Sequence, residues 1–248
     1  MPERSDLLLT PLVGVSVASI YKGHLPARMA RCTPDTAAAL EGLVGDLRAL
    51  GHELRLSDLF RSYAMQKQAH QDYLRGRKQA YSPPPGSSMH EAGRAMDIDL
   101  SSMGVPLARF WEIAAAHGFY PVIDQPIPSR SEAWHFDRRG SHHAVYEYVR
   151  GGKAGAAFSP YTQMARSAIL ATGVSVDCLP RQDTAFLQSA LIRLGYDPGR
   201  IDGVLGERTR AALRAAGCLE AEQASALVSE RLREAFPLEY APGPPMLR

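Results

Sequence analysis

Three separated stretches hold the side chains best suited to chemistry. Pro85 to Asp97 (Pro-Gly-Ser-Ser-Met-His-Glu-Ala-Gly-Arg-Ala-Met-Asp) contains His90 and Asp97. Glu132-Ala133-Trp134-His135 adds a carboxylate and a second imidazole, and Phe60-Arg61-Ser62 adds a guanidinium. Together they supply what a catalytic zinc site requires. It needs three protein ligands and a fourth position open to water, a base for that water, and a cation for the charge that develops on the substrate.

The spacings constrain how such a site can form. On one straight helix His90 and Asp97 would lie about 10 Å apart along the axis. On one strand they would be about 20 Å apart or more, on opposite faces. Neither lets both reach one metal at about 2 Å. If both bind, the chain must bend between them, and Gly93 offers a conformation open only to glycine. Ala95 would then share a strand face with Asp97 and leave room beside the metal. Glu132 and His135 come side by side in a helical turn or tight loop, so His135 can bind while Glu132 faces the water. No His-Glu-x-x-His occurs, which excludes the helix-borne zinc peptidase site. A lone histidine is more often structural than a ligand, and His24, His52, His70, His117, His142 and His143 keep that reading.

The surrounding pattern predicts the elements that position these groups. Thr36 to Leu50 reads as a helix with Leu40, Leu43, Val44 and Leu47 on one face, Thr33 or Asp35 as cap, Pro34 in its first turn and Gly51 at its end. His52 to Leu59 alternates as a strand and delivers Arg61 at its end. Ala64 to Leu74 is helical, Tyr81 to Ser88 is a Pro/Gly/Ser loop, Ala95 to Leu100 a strand, Leu107 to His117 a helix, and Trp134 to Phe136 a short strand. This order suggests an α+β domain with a small antiparallel sheet over residues 1–150. Gly151 to Ala157 opens a linker that runs to residue 180. Residues 181–248 then read as a small all-α module of three helices, Thr184 to Leu194, Glu207 to Ala216 and Ala221 to Phe236.

Composition limits the partners. At 248 residues, with 45% hydrophobic and 22% charged residues, the chain is an ordinary globular protein of one large or two modest domains. A net charge of +2 gives no reason to expect nucleic acid as partner. No run is long enough to span a membrane. The apolar stretch Leu7 to Ile20 is interrupted by Pro11 and Gly14 and preceded by Glu3 and Asp6, so a cleaved signal peptide is not expected. Cys32, Cys178 and Cys218 form no disulfide or metal-knuckle pattern and read as buried free thiols. A monomer is expected.

The pattern Pro85-Gly86-x-Ser88-x-His90-x-x-Gly93-x-Ala95-x-Asp97, followed by Glu132-x-Trp134-His135, resembles the VanY-like family of zinc D-alanyl-D-alanine carboxypeptidases. That family also contains zinc L-alanyl-D-glutamate endopeptidases of phage lysins. Its Tyr-Arg-Ser-x-x-x-Gln segment stands here as Phe60-Arg61-Ser62-Tyr63-Ala64-Met65-Gln66. The resemblance covers roughly residues 30 to 150 and implies a hedgehog/DD-peptidase-like fold. It implies one catalytic zinc held by His90, Asp97 and His135, with Glu132 as catalytic base. Arg61 would bind the substrate carbonyl oxygen or a carboxylate, and Ser88 and Gln66 would sit beside the substrate. Asp99 is a candidate to orient a ligand from behind.

A second resemblance lies in the C-terminal module. Leu187-Gln188, Leu191, Leu194-Gly195-Tyr196, Pro198-Gly199, Ile201-Asp202-Gly203, Gly206 and Thr209 look like the small peptidoglycan-binding domain of wall hydrolases. The glycines and Asp202 also serve simply to shape the turn. The two resemblances together imply a zinc metallopeptidase that hydrolyses peptidoglycan stem peptides, with peptidoglycan or a muropeptide as substrate. Either the terminal D-Ala-D-Ala bond or an L-Ala-D-Glu or cross-bridge bond is the target. Action at the cell wall is implied, from the periplasm or outside the cell, as in an endolysin, with a cytoplasmic recycling role left open. The alternative is a non-catalytic zinc-containing wall-binding protein, a use of this fold seen in hedgehog domains. The intact Glu132 and Arg61 argue against it.

Overall fold

The computed structural model describes residues 7–21, 23–154, 159–218 and 224–242. Two compact units emerge. One is Pro11–Gly140; the other is Ser141–Ala241 with the N-terminal stretch that ends at Thr10.

The first unit is built on a four-stranded antiparallel sheet. Its strands are β3 (Leu56–Asp58), β4 (Ala95–Ile98), β5 (Phe119–Pro121) and β6 (His135–Arg138), in the order β3-β4-β6-β5. A two-stranded ribbon, β1 (Val13–Gly14) with β2 (Arg31–Cys32), precedes it. Three helices complete the unit: α1 (Pro34–Ala49), α2 (Tyr63–Leu74) and α3 (Leu107–Ala116). Alternation divides the sheet residues between two faces. Leu56, Met96, Ile98, Phe119 and Phe136 join Leu40, Leu43 and Leu47 of α1 and Phe110 and Ile113 of α3 in one buried core. Asp97, His135 and Asp137 turn the other way. Phe110 and Phe136 meet edge to face at 5.0 Å between ring centroids, fixing α3 against β6.

Helix α1 starts two residues before the expected Thr36. Thr33 is the cap, Pro34 fills the first helical position, and Gly51 follows the end with φ 80°. The strand expected over His52–Leu59 forms only at Leu56–Asp58, with a bulge between Leu56 and Asp58.

The helical unit contains the three expected helices as α6 (Gln182–Arg193), α7 (Glu207–Ala215) and α8 (Ala224–Ala235); residues 221–223 of the third expectation lie outside the described residues. Two more helices belong to it, α4 (His143–Arg150) and α5 (Pro160–Ala171). The stretch read as a linker therefore holds a helix, and the boundary between units falls after Gly140 rather than at residue 150. Helix α5 is buried nearly all round, from Gln163 and Met164 through Ala171, so it has no one-sided apolar stripe to reveal it. Gln188 organises the turn between α6 and α7. Its amide oxygen accepts from the N–H groups of Asp202 and Gly203, and its nitrogen donates to Asp202, Val204 and Thr209. All three cysteines are free; Cys32 and Cys218 are buried as expected, whereas Cys178 is exposed.

Candidate active site

The register of the sheet brings the donors together. Asp97 of β4 lies opposite His135 of β6 and also opposite Asp58 of β3. The bulge in β3 makes this possible. Leu56 pairs with Ile98, so an unbroken ladder would set Ser57 against Asp97, and the extra residue sets Asp58 there instead.

His90 comes from a single 3-10 turn, Met89–Ala92, which ends at Gly93 with φ 63°. That left-handed conformation makes the bend expected from the spacing. The space is closed as well, because a Cβ on Gly93 would lie 2.8 Å from the Cys32 Cα and 2.9 Å from the Leu12 Cδ2. The result is a convergent group: one donor atom each from His90, Asp97 and His135, all within 4.8 Å of one another and all buried. Two imidazoles and a carboxylate at this separation can hold a metal ion.

The outer nitrogens are committed in a way that favours that use. His90 Nδ1 donates to the Leu59 carbonyl at 2.9 Å, which leaves Nε2 facing Asp97 at 3.2 Å. His135 Nε2 faces the Asp137 carboxylate at 3.0 Å and its Nδ1 faces Asp97 at 2.8 Å. A carbonyl or carboxylate behind each imidazole fixes the ring and raises its basicity. Asp137 is completely buried. Asp99, expected in this supporting role, is instead only partly buried and binds Ser101 in a turn. The signal for Asp137 was present in the sequence: two residues after His135 on a strand is the same face.

Burial alone would lower the pKa of His135, but Asp137 and Asp97 raise it to about 10. Burial alone would raise that of Asp97, but His90 and His135 hold it well below the usual carboxylate range. A metal held by His135 would take its neutral imidazole, so binding there would release any proton it carries.

Glu132 is the one non-glycine residue with positive φ among the described residues, at 66°. Its carbonyl accepts from the His135 N–H at 3.0 Å, closing the turn that sets the two side chains together. Its Oε1 is buried and has no hydrogen-bond partner. Burial raises its pKa; His135 opposes the shift, and the Asp97 charge adds to it. A carboxylate kept basic, unpaired and on strained backbone is suited to accept a proton.

Arg61 is held from three sides. Its Nε donates to Asp58 at 2.5 Å, Nη2 to Asp97 at 3.1 Å and Nη1 to the Gln66 amide oxygen at 3.3 Å. Gln66 is fully buried and its nitrogen donates to Ser82 and to the Pro83 carbonyl. Its amide is spent on ordering Arg61 and the proline loop, which differs from the substrate contact expected for it. Ser88 is buried too, and its N–H donates to Glu91, as do those of Gly86 and Ser87. Glu91 is a buried knot for the whole Pro-Gly-Ser-Ser loop, and burial pushes its pKa up to about 7. Sequence reasoning missed Asp58, Glu91 and Asp137, all of which act through another residue.

Comparison with known proteins agrees with the motifs. Residues 30–137 match the D-alanyl-D-alanine carboxypeptidase family VanY, and residues 180–216 match a peptidoglycan binding domain family. No curated protein matches the chain. Among solved structures, the LdcB LD-carboxypeptidase is similar at 22% identity and a TM-score of 0.41, covering 51% of this chain and 66% of its own. This chain thus spans just under two thirds of that protein. A mutant of the D,D-pentapeptidase VanY from a VanB-type resistance cassette, in complex with Zn(II), is similar at 19% identity and a TM-score of 0.40, covering 52% and 79%. DacB from Streptococcus pneumoniae D39 is similar at 24% identity and 0.36, covering 55% and 80%. Bent glycine, donor set and family match coincide over one stretch of sequence: residues 30–137 match the VanY D-alanyl-D-alanine carboxypeptidase family, and a stretch matching a peptidoglycan binding domain follows at residues 180–216.

Proposed function

We propose that the protein is a zinc-dependent peptidase that cuts the stem peptides of peptidoglycan, acting as a carboxypeptidase at the cell wall. The observation that carries this reading is Glu132, whose unpaired, burial-raised carboxylate sits on left-handed backbone three residues before His135. His90 Nε2, His135 Nδ1 and an Asp97 oxygen would hold the zinc. Two nitrogens and one oxygen suit that ion and leave a position open. Bound zinc would polarise the scissile carbonyl and make a water acidic enough to lose a proton near neutral pH.

The residues then have distinct work. Glu132 takes the proton from the attacking water and delivers it to the leaving amine. Arg61 has five guanidinium N–H groups, and three serve Asp58, Asp97 and Gln66. Those remaining can steady the developing oxyanion. Gln66 and Ser88 hold Arg61 and the Pro-Gly-Ser-Ser loop in place rather than touching substrate. The helical unit would keep the chain on its polymer.

The test is mass spectrometry of muropeptides incubated with zinc-loaded protein, with Glu132→Ala alongside. Loss of one alanine mass from pentapeptides, abolished in the variant while zinc stays bound, is the expected result. Release of larger stem fragments would make the protein an endopeptidase. Undiminished cleavage by Glu132→Ala would refute the role given to that residue.

A further inference from the structure

His70 lies outside the metal-binding group, yet it is tied into the support of Arg61. Helix α2 carries Gln66, His70 and Tyr73 at i, i+4 and i+7, which is one face. All three grip the loop that follows the helix. Gln66 Nε2 donates to the Ser82 hydroxyl at 3.1 Å and to the Pro83 carbonyl at 2.7 Å. His70 Nδ1 meets the Ser82 carbonyl at 2.7 Å. Tyr73 and Tyr81 pack edge to face at 5.3 Å between ring centroids. A carbonyl only accepts, so the His70 Nδ1 carries a proton and donates it. Ser82 is completely buried, and α2 takes both its hydroxyl and its carbonyl.

Two consequences run from Ser82 towards the site. In one direction stand Pro83, Pro84 and Pro85, each with φ fixed by its ring. Such a rod absorbs little displacement, and it ends at Gly86, whose N–H donates to Glu91 beside His90. In the other direction, the Gln66 amide oxygen accepts from Arg61 Nη1 at 3.3 Å. That oxygen faces the guanidinium because the amide N–H groups are drawn to Ser82 and Pro83. Turning the amide over would set donors against donors on both sides.

We propose that His70 is a positioning residue for Arg61, acting through Ser82 and Gln66. This rests on the peptidase reading, in which Arg61 steadies the oxyanion. Without the Nδ1–H, the Ser82 carbonyl loses its donor and the backbone its fixed point. Gln66 then loses the geometry that turns its oxygen to Arg61. Asp58 and Asp97 keep the guanidinium in the site, but it is no longer aimed at the developing charge. An aim of that kind is felt in the transition state more than in substrate binding.

The experiment compares His70→Leu, which fills similar space without a donor, with His70→Asn, whose amide N–H stands as many bonds from the backbone as Nδ1. The zinc-loaded full chain acts on a synthetic stem pentapeptide. His70→Leu should lower kcat about 10- to 100-fold, the range for a misplacement of about 1 Å, with KM and zinc affinity little changed. His70→Asn should recover most of the loss. In an Arg61→Ala background, His70→Leu should cost little more, because both act on one path. Full activity in His70→Leu, equal losses in the two variants, or additive losses with Arg61→Ala overturns the proposal. The Arg61 Nε–H signal in the NMR spectrum of protein with labelled arginine, identified by its absence in Arg61→Lys, reads the link without turnover. It should move in His70→Leu and return in His70→Asn. If the wild type cuts no peptide yet the signal behaves in this way, the peptidase reading falls and the link from His70 to Arg61 stands. If the signal is unmoved in His70→Leu, the link falls.

Discussion

Replacing Gly93 by alanine separates two costs that the structure distinguishes. At φ 63° an alanine must adopt the left-handed region, at about 1–2 kcal/mol. Its Cβ must also enter space held by the Cys32 Cα at 2.8 Å and the Leu12 Cδ2 at 2.9 Å. The first of these is backbone and cannot swing aside, so forced displacement adds about 1–3 kcal/mol. Against this, alanine stiffens the unfolded chain and recovers about 0.4–1 kcal/mol. The net loss is about 1–4.6 kcal/mol, or about 4–18 °C in Tm at about 4 °C per kcal/mol for a unit of this size. Both tryptophans, Trp111 and Trp134, lie in this unit, so intrinsic fluorescence follows its melting alone. Gly51→Ala is the control. It too has positive φ, at 80°, but nothing lies within 4 Å of the Cβ it would gain, so it pays only the conformational cost. The Gly93 variant should also bind zinc more weakly, because the same displacement moves His90 relative to Asp97. If Gly93→Ala melts no lower than Gly51→Ala, the close-approach argument is wrong.

Two further predictions concern buried carboxylates. Asp35 grips Arg94 through two bonds of 2.8 and 2.9 Å, with both residues almost fully buried. Burial would raise the Asp35 pKa, but Arg94 and the Thr33 hydroxyl bring it below normal. A depressed folded-state pKa stabilises the fold above the unfolded value of about 3.9, and that contribution drains away as pH falls through the folded value. Asp35→Asn should cost about 3–5 kcal/mol at neutral pH and flatten the acid side of the stability profile below about pH 4. Urea titrations of both proteins across that range would check it, and parallel profiles would contradict it. Asp137→Asn should leave the fold in place but weaken zinc binding about 10- to 100-fold, measured by competition with a chromogenic chelator.

The donors were legible in the sequence because each carries a local signature. His90, Gly93 and Asp97 lie within one short stretch, and Glu132 and His135 within another, so spacing alone demanded the bend that Gly93 makes. Helices α1 and α3 were legible for a similar reason, having one apolar face between recognisable stops. What supports the donors was harder to read. Asp58 matters only because a bulge shifts its register, and no local pattern announces a bulge. Glu91 resembles a surface charge until the loop folds back over it. Gln66 looked like a residue facing substrate, yet burial spends its amide on Arg61, Ser82 and Pro83. Helix α5 was missed because small and polar residues on its buried faces lack the contrast between sides that periodicity detects, whereas α4, one-sided with Val145, Tyr148 and Val149 inward, is only eight residues long.

The rung that carries Asp58, Asp97 and His135 separates what is rigid from what can change. Neighbouring strands of a sheet run about 4.8 Å apart, so two side chains facing each other across them arrive already at the span of a single ion. Geometry of that kind is inherited from the backbone ladder and needs no tuning by the loops. Glu132, by contrast, lies outside the strands on a connecting segment. Such a segment can be exchanged or lengthened while the rung of strand residues stays as it is.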